Sequence, residues 1–199
     1  MPQRLTVLNV GGGSKSIALP AHYAGWEHLL LDIQPREDVD LVHDGRELLR
    51  FPANVYDAVY CSHNLEHYFR HEVPRVLEGF RHVLRSDGFC EIRVPDLGEV
   101  IREAVARHLE LGSQLYSSPA GPITVHDVIY GFGEEIKRSG NPFYAHKCGF
   151  TPDSLVEALQ QAGFAQVWLA PPLAQFEVRA VAFVQPATPV RQRLLGIIS

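Results

Sequence analysis

A chain of 199 residues with 46% hydrophobic and 21% charged residues has material for one packed domain. Its formal charge of −5, with no run of Lys or Arg, excludes the phosphate-neutralising surface that nucleic-acid binding needs. Three cysteines, Cys61, Cys90 and Cys148, without C-x-x-C spacing, exclude a disulfide framework and a zinc–cysteine site and point to a reducing cytoplasm.

In chain order, the apolar run at 5–10 (LTVLNV) ends in glycines, and that at 28–33 (HLLLDI) ends in an acid before Gln34-Pro35. Both read as buried parallel strands. Residues 14–23 predict a short helix broken by Pro20, residues 40–43 a third strand and residues 56–62 (YDAVYCS) a fourth. Val73, Val76, Leu77, Phe80, Val83 and Leu84 fall at helical spacing, and Ser86-Asp87-Gly88 turns the chain into a fifth strand at 89–94. Asp96 and Glu99 open a helix with Val100, Ile101, Ala104 and Val105 on one side, expected to pack on the sheet.

Between 112 and 149 periodicity dissolves into Gly, Pro, Ser and aromatics, a length that predicts a functional lid. Thr151 and Pro152 then start a helix that Gly163 ends. Strands at 166–170 and 178–184, joined through Pro171-Pro172, predict an antiparallel hairpin. The expectation is an α/β fold with a mostly parallel, doubly wound, seven-stranded Rossmann-like sheet. It places one domain at 1–185, a lid insert at about 112–149 and a tail at 186–199. No apolar run approaches a membrane span and no leader is evident, so neither membrane nor export is expected.

Ligands of such sheets bind at the carboxyl ends of the strands beside the first. There Asn9-Val10-Gly11-Gly12-Gly13 ends the first strand in a turn that lets backbone N–H groups approach a ligand. Asp32 ends the second strand, where a carboxylate can accept the ribose hydroxyls of an adenosine-containing cofactor. Taken by itself this pair fits nicotinamide cofactors as well as S-adenosylmethionine, although Ser16 stands where the dinucleotide fingerprint has its third glycine. A P-loop fails, because Asn9 and Ser14 occupy positions that need glycine.

The succession VLNVGGG, LLLDI, VDLVHDG, YDAVYCSHNLEH and LRSDGFCEIRVPD, with HKCGFTPDSLVEALQQAGF at 146–164, resembles the ordered motifs of class I S-adenosylmethionine-dependent methyltransferases. It is similar in particular to a bacterial group whose first motif reads L-N-x-G-x-G. The resemblance implies S-adenosylmethionine as cofactor, its methionine end at Gly11 and Gly13 in the turn that also holds Asn9 and Gly12, and its ribose at Asp32, beside Ile33. It further implies adenine near Asp44 and Gly45, with Ser62 and His63 following the fourth strand. Asn9 stands here where the first motif commonly has an acid, and Lys15 where many relatives have glycine.

His63-Asn64-Leu65-Glu66-His67 also matches H-x-x-E-H, a zinc peptidase signature with both histidines on one helix face, for which Glu134 or Glu135 would be the third ligand. A peptidase helix does not belong directly after a buried strand at a nucleotide site. The reading therefore expects no metal and takes His67 as a histidine making a local hydrogen bond. In the lid, His126, Tyr130, Tyr144 and His146 suit a small organic acceptor, and His63 and His146 are candidate bases. The expected function is O- or N-methylation of a small-molecule or sugar-like acceptor. The alternatives are a non-catalytic cofactor-binding protein, a zinc hydrolase and an NAD-dependent oxidoreductase.

Overall fold

The computed structural model describes residues 4–118 and 121–197. Its strands are β1 (Thr6–Val10), β2 (Glu27–Asp32), β3 (Leu41–Val42), β4 (Tyr56–Ser62), β5 (Leu84–Pro95), β6 (Gln114–Ser118), β7 (Gly121–Thr124), β8 (Gln166–Ala170) and β9 (Glu177–Phe183). The helices are α1 (Val73–Val83), α2 (Leu97–Ala106), α3 (Val125–Tyr130), α4 (Gly133–Ser139), α5 (Pro152–Gln161) and α6 (Pro189–Leu194). Seven strands form one sheet in the order β3-β2-β1-β4-β5-β9-β8, with β6 and β7 paired separately. β1 to β5 run parallel; β9 is antiparallel to both β5 and β8. This is the expected seven-stranded architecture with its C-terminal hairpin.

The sheet is covered on both faces, which is why its strands are continuous apolar runs and do not alternate. One core joins Leu8, Val59 and Ile92 to Leu77 and Phe80 of α1 and Leu155 and Leu159 of α5. The other joins Val7, Tyr60, Phe89 and Val181 to Tyr23 and to Leu195 just past α6. Leu195 and Ile197 of the tail thus belong to this core, a role the sequence had not disclosed. At the middle of this second core the fully buried Glu91 accepts hydrogen bonds from Arg179 Nε (2.7 Å), His22 Nε2 (2.8 Å) and the Tyr23 hydroxyl (2.9 Å). Among the described residues, no helix is long and apolar enough to cross a membrane.

Four expectations change. The helix predicted at 14–23 shrinks to a single 3-10 turn, Ala21–Tyr23. Asp38 captures the Ser14 hydroxyl (2.6 Å) and the Lys15 N–H (2.7 Å), so groups that would start a helix are tied to the loop after β2. Ser86 to Gly88 does not separate α1 from its strand. β5 starts at Leu84 and takes up these residues as a register shift against β4.

α2 does not lie on the sheet: Val100 is its buried residue, whereas Ile101 and Val105 are 56% and 71% exposed. It packs instead on the insert, where Val100 joins Leu115, Val125 and Val128 in a small core. The insert itself is regular, built from the β6–β7 hairpin, α3 and α4. A reciprocal capping box between Thr124 and Asp127 starts α3.

Candidate functional site

β1, β2 and β4 deliver their carboxyl ends to one cleft. Gly11, at φ +69°, turns the chain out of β1, and its N–H donates to Leu31 O at 2.8 Å. A Cβ on Gly11 would lie 2.1 Å from the Asn64 amide, and one on Gly12 would lie 2.1 Å from that of Asn9. The turn is therefore wedged between two asparagine side chains, either of which a Cβ would displace, and at Gly11 the positive φ adds strain for any other residue. Asn9 is buried beneath it, donating from Nδ2 to His28 Nε2 (3.2 Å) while its Oδ1 has no hydrogen-bond partner.

Asp32 closes the next wall. Its Oδ2 accepts the Gly13 N–H (3.2 Å) and its Oδ1 the Gln34 N–H (2.9 Å), so it caps its own turn while facing the cleft. Asp44 caps the 3-10 helix Gly45–Arg50 through Arg46 N (2.9 Å) and receives the Arg46 guanidinium, which also pairs with Glu72. Burial opposes the charge on Asp44, but these bonds outweigh it and hold its carboxyl below the ordinary range. Burial lifts the Tyr68 hydroxyl, packed against Gly45, above the usual phenol range.

The cleft and the open space at its mouth together amount to about 500 Å³. Of the residues singled out from sequence, Gly11, Asp32, Ile33, Asp44 and Gly45 line it; Asn9, Gly12, Gly13, Ser62 and His63 do not. Asn9 and Gly12 shape the turn from behind. Val10, Arg46, Asn64, Tyr68, Phe143 and Lys147 line the cleft without having been singled out. Asn64 had one signal, its place directly after the fourth strand; Phe143 and Lys147 arrive from the insert and had none.

A second cavity, about 1220 Å³ and more open, adjoins the first, for His63 and His146 line one while their neighbours Asn64 and Lys147 line the other. Its wall combines Tyr116, Phe132 and Phe176 with Ser117 and Asp127. His63 sits just past β4 at φ +49° and donates from Nε2 to Glu177 Oε2 (3.1 Å). Partial burial disfavours its charge, yet Glu177 and Glu66 outweigh this and raise its pKa to about 9, so it is a cation at neutral pH. Glu177, on β9, also receives Arg93 Nη2 (2.6 Å) and Nε (2.9 Å). Burial opposes its charge too, but these donors bring its pKa down to about 2. No sequence signal marked Glu177, which only the β5–β9 pairing brings here.

His146 is the substrate candidate that reaches this cavity. Its Nδ1 donates to Val128 O (2.9 Å), and burial lowers its pKa, leaving it neutral near pH 7. His126 and Tyr130 do not line it; they pair with each other on α3, their rings 4.9 Å apart, with Tyr130 54% exposed. Tyr144 lies beside the glycine turn, its hydroxyl accepting from Arg36 Nη2 (3.3 Å) while Arg36 Nη1 donates to Gly13 O (2.9 Å). The H-x-x-E-H run is not a helix: Leu65–His67 is one 3-10 turn, His63 faces Glu177, and Glu135 pairs with Arg138 on the surface. His67 does not bond locally either, since its Nδ1 donates to Ala145 O (3.1 Å) in the insert.

A family model described as "Methyltransferase domain" matches residues 2–168. No curated protein matches the sequence. Among solved structures, an S-adenosylmethionine-dependent methyltransferase from Archaeoglobus fulgidus is similar at 14% identity and a TM-score of 0.56, over 90% of this chain and 86% of that one. The PH0226 protein of Pyrococcus horikoshii is similar at 15% identity and 0.58, over 92% and 83%. DhpI in complex with SAH is similar at 16% identity and 0.54, over 92% and 78%. At these identities the likeness is one of fold.

Proposed function

The chain belongs to the methyltransferase-domain family, and from that premise we propose that it methylates a hydroxyl or amino group of a small, sugar-like acceptor with S-adenosylmethionine as cofactor. The observation that carries the reading is the pair of adjoining cavities: a narrow one at the carboxyl ends of β1 and β2, and a wider one walled by the insert. When bound, the cofactor supplies a methyl group activated by its sulfonium charge.

The residues present fit that group. The glycine turn, with no room for a Cβ at Gly11, offers a floor that backbone alone forms, suited to the methionine end. Asp32 retains lone pairs beyond its two backbone bonds for ribose hydroxyls, and Asp44 and Gly45 stand beside Tyr68 and Phe143 for the adenine. In the wider cavity, aromatic rings next to Ser117 and Asp127 match a ligand with both apolar ring faces and hydroxyls. The protein's own contribution is orientation and exclusion of water.

Calorimetric titration with S-adenosylmethionine, S-adenosylhomocysteine and NAD tests the reading. Binding of the first two with none of the third is expected; binding of NAD alone, or of none, overturns it. Release of S-adenosylhomocysteine with a panel of glycosides and amino sugars, but not with simple carboxylates, is expected for the acceptor class.

A further inference from the structure

Glu66 stands on the 3-10 turn between the two cavities and is 1% exposed, yet among the described residues neither of its carboxylate oxygens has a hydrogen-bond partner. A buried carboxylate left without donors is costly, and such groups are ordinarily paired or bound to a metal. Its ion pairs are long, to His63 Nδ1 at 3.7 Å and His146 Nε2 at 4.0 Å, both beyond hydrogen-bond reach. Two imidazoles flank it. His67 and His146 have rings 4.9 Å apart, and each donates its Nδ1 hydrogen to a backbone carbonyl, of Ala145 and Val128 respectively.

A neutral imidazole that donates from Nδ1 carries a lone pair on Nε2, and this backbone anchoring is how metal-binding histidines are usually oriented. One ligand atom from each of Glu66, His67 and His146 lies within 4.8 Å of the other two. Four-coordinate zinc with bonds of about 2.0–2.2 Å sets its donors about 3.4 Å apart, so closing the site takes rotamer adjustments of roughly an ångström. The backbone is already fastened for this, since Lys147 N and Cys148 N both donate to Glu66 O (2.8 and 3.2 Å), holding the 145–148 strip against the turn.

We propose that Glu66, His67 and His146 bind a divalent transition-metal ion, zinc matching the two imidazoles and one carboxylate best. Three protein ligands leave a tetrahedral ion one open position, the mark of sites that engage a substrate. His67 lines the cofactor cleft and His146 the wider cavity, so the ion stands where they meet. An oxygen of the acceptor, a hydroxyl or an adjacent hydroxyl pair, completes its shell. That last part alone rests on the methyltransferase reading. The arrangement differs from the H-x-x-E-H hydrolase expectation, because His63 is committed to Glu177, His146 stands in place of Glu134 or Glu135, and Glu66 is itself a ligand.

The test strips the full chain with a chelator, adds Zn²⁺ or Co²⁺ alone, desalts, and measures retained metal by mass spectrometry and Co²⁺ by visible absorption. About one ion per chain and the intense bands of four-coordinate cobalt are expected for wild type. Glu66→Gln, which preserves shape, and His146→Ala, checked for folding by circular dichroism, are expected to lose at least about tenfold in affinity, the lower bound for losing even a supporting group. Wild-type protein that retains no ion, or folded variants of both kinds that retain it undiminished, would overturn the proposal. S-adenosylhomocysteine binding is measured on the same samples: binding without Zn²⁺ retention removes the ion and leaves the transferase reading, and the converse result does the reverse.

Discussion

At Gly11, side-chain absence is the functional property. Gly11→Ala forces a Cβ onto Asn64 at a positive φ, so it is expected to weaken S-adenosylhomocysteine binding more than tenfold by calorimetry while the sheet behind it stays folded. Asp32→Ala removes hydrogen bonds to a charged group and is expected to cost about 1.5 to 3 kcal/mol of cofactor affinity; unchanged affinity in a folded variant removes Asp32 from the site. Glu177 yields a prediction in pH. Its carboxyl is depressed to about 2, so the stability it contributes is complete above its ordinary value near 4.5 and is lost as pH falls toward 2. That contribution is on the order of 3 kcal/mol. Denaturant melts at pH 7, 4 and 3 are expected to show wild type converging on Glu177→Gln as pH drops, and an equal gap at every pH would refute the assignment.

Elements at strand ends were legible because a strand stops where its pattern stops: Gly11 and Asp32 are read off that way, Asp44 and Gly45 followed from the family resemblance, and all four line the cleft. What was not legible depends on pairing at long range. Glu177 reaches His63 across 114 positions, and Ala145 reaches His67 across 78. The insert shows the same limit in another form. Its periodicity was hidden because its elements are short and bury their residues against α2 and not the sheet. The single mobile lid foreseen from sequence thus divides in two. Residues 114–118 and 121–130 share a small core with α2, while α4 has no buried residue and leads to Phe143 and Lys147 at the cofactor cleft. Amide exchange is expected to be slow at 114–118 and 121–130 with or without ligand, and to slow at 133–144 when S-adenosylhomocysteine is added. Equal slowing across both stretches would restore one lid.

For the molecule as a whole, the tail is a structural closure. Leu195 is 2% exposed against Tyr23 and Phe89, and its carbonyl accepts from Arg179 Nη2 (3.3 Å). Leu195→Ala is expected to lower unfolding free energy by about 2 to 4 kcal/mol in urea titration, the usual cost of deleting a buried leucine; a change under about 0.5 kcal/mol, the scale of surface substitutions, would place the tail outside the core. The position of β9 has a consequence in time. A ribosome delivers it after every other strand of the sheet, yet its place is inside, between β5 and β8. Until it emerges, β5 offers a bare pairing edge and Glu91 lacks the guanidinium of Arg179. Synthesis therefore passes through a stage in which a nearly finished sheet is open at its fifth strand and adhesive toward other nascent chains. The arrival of β9 ends that exposure at a stroke.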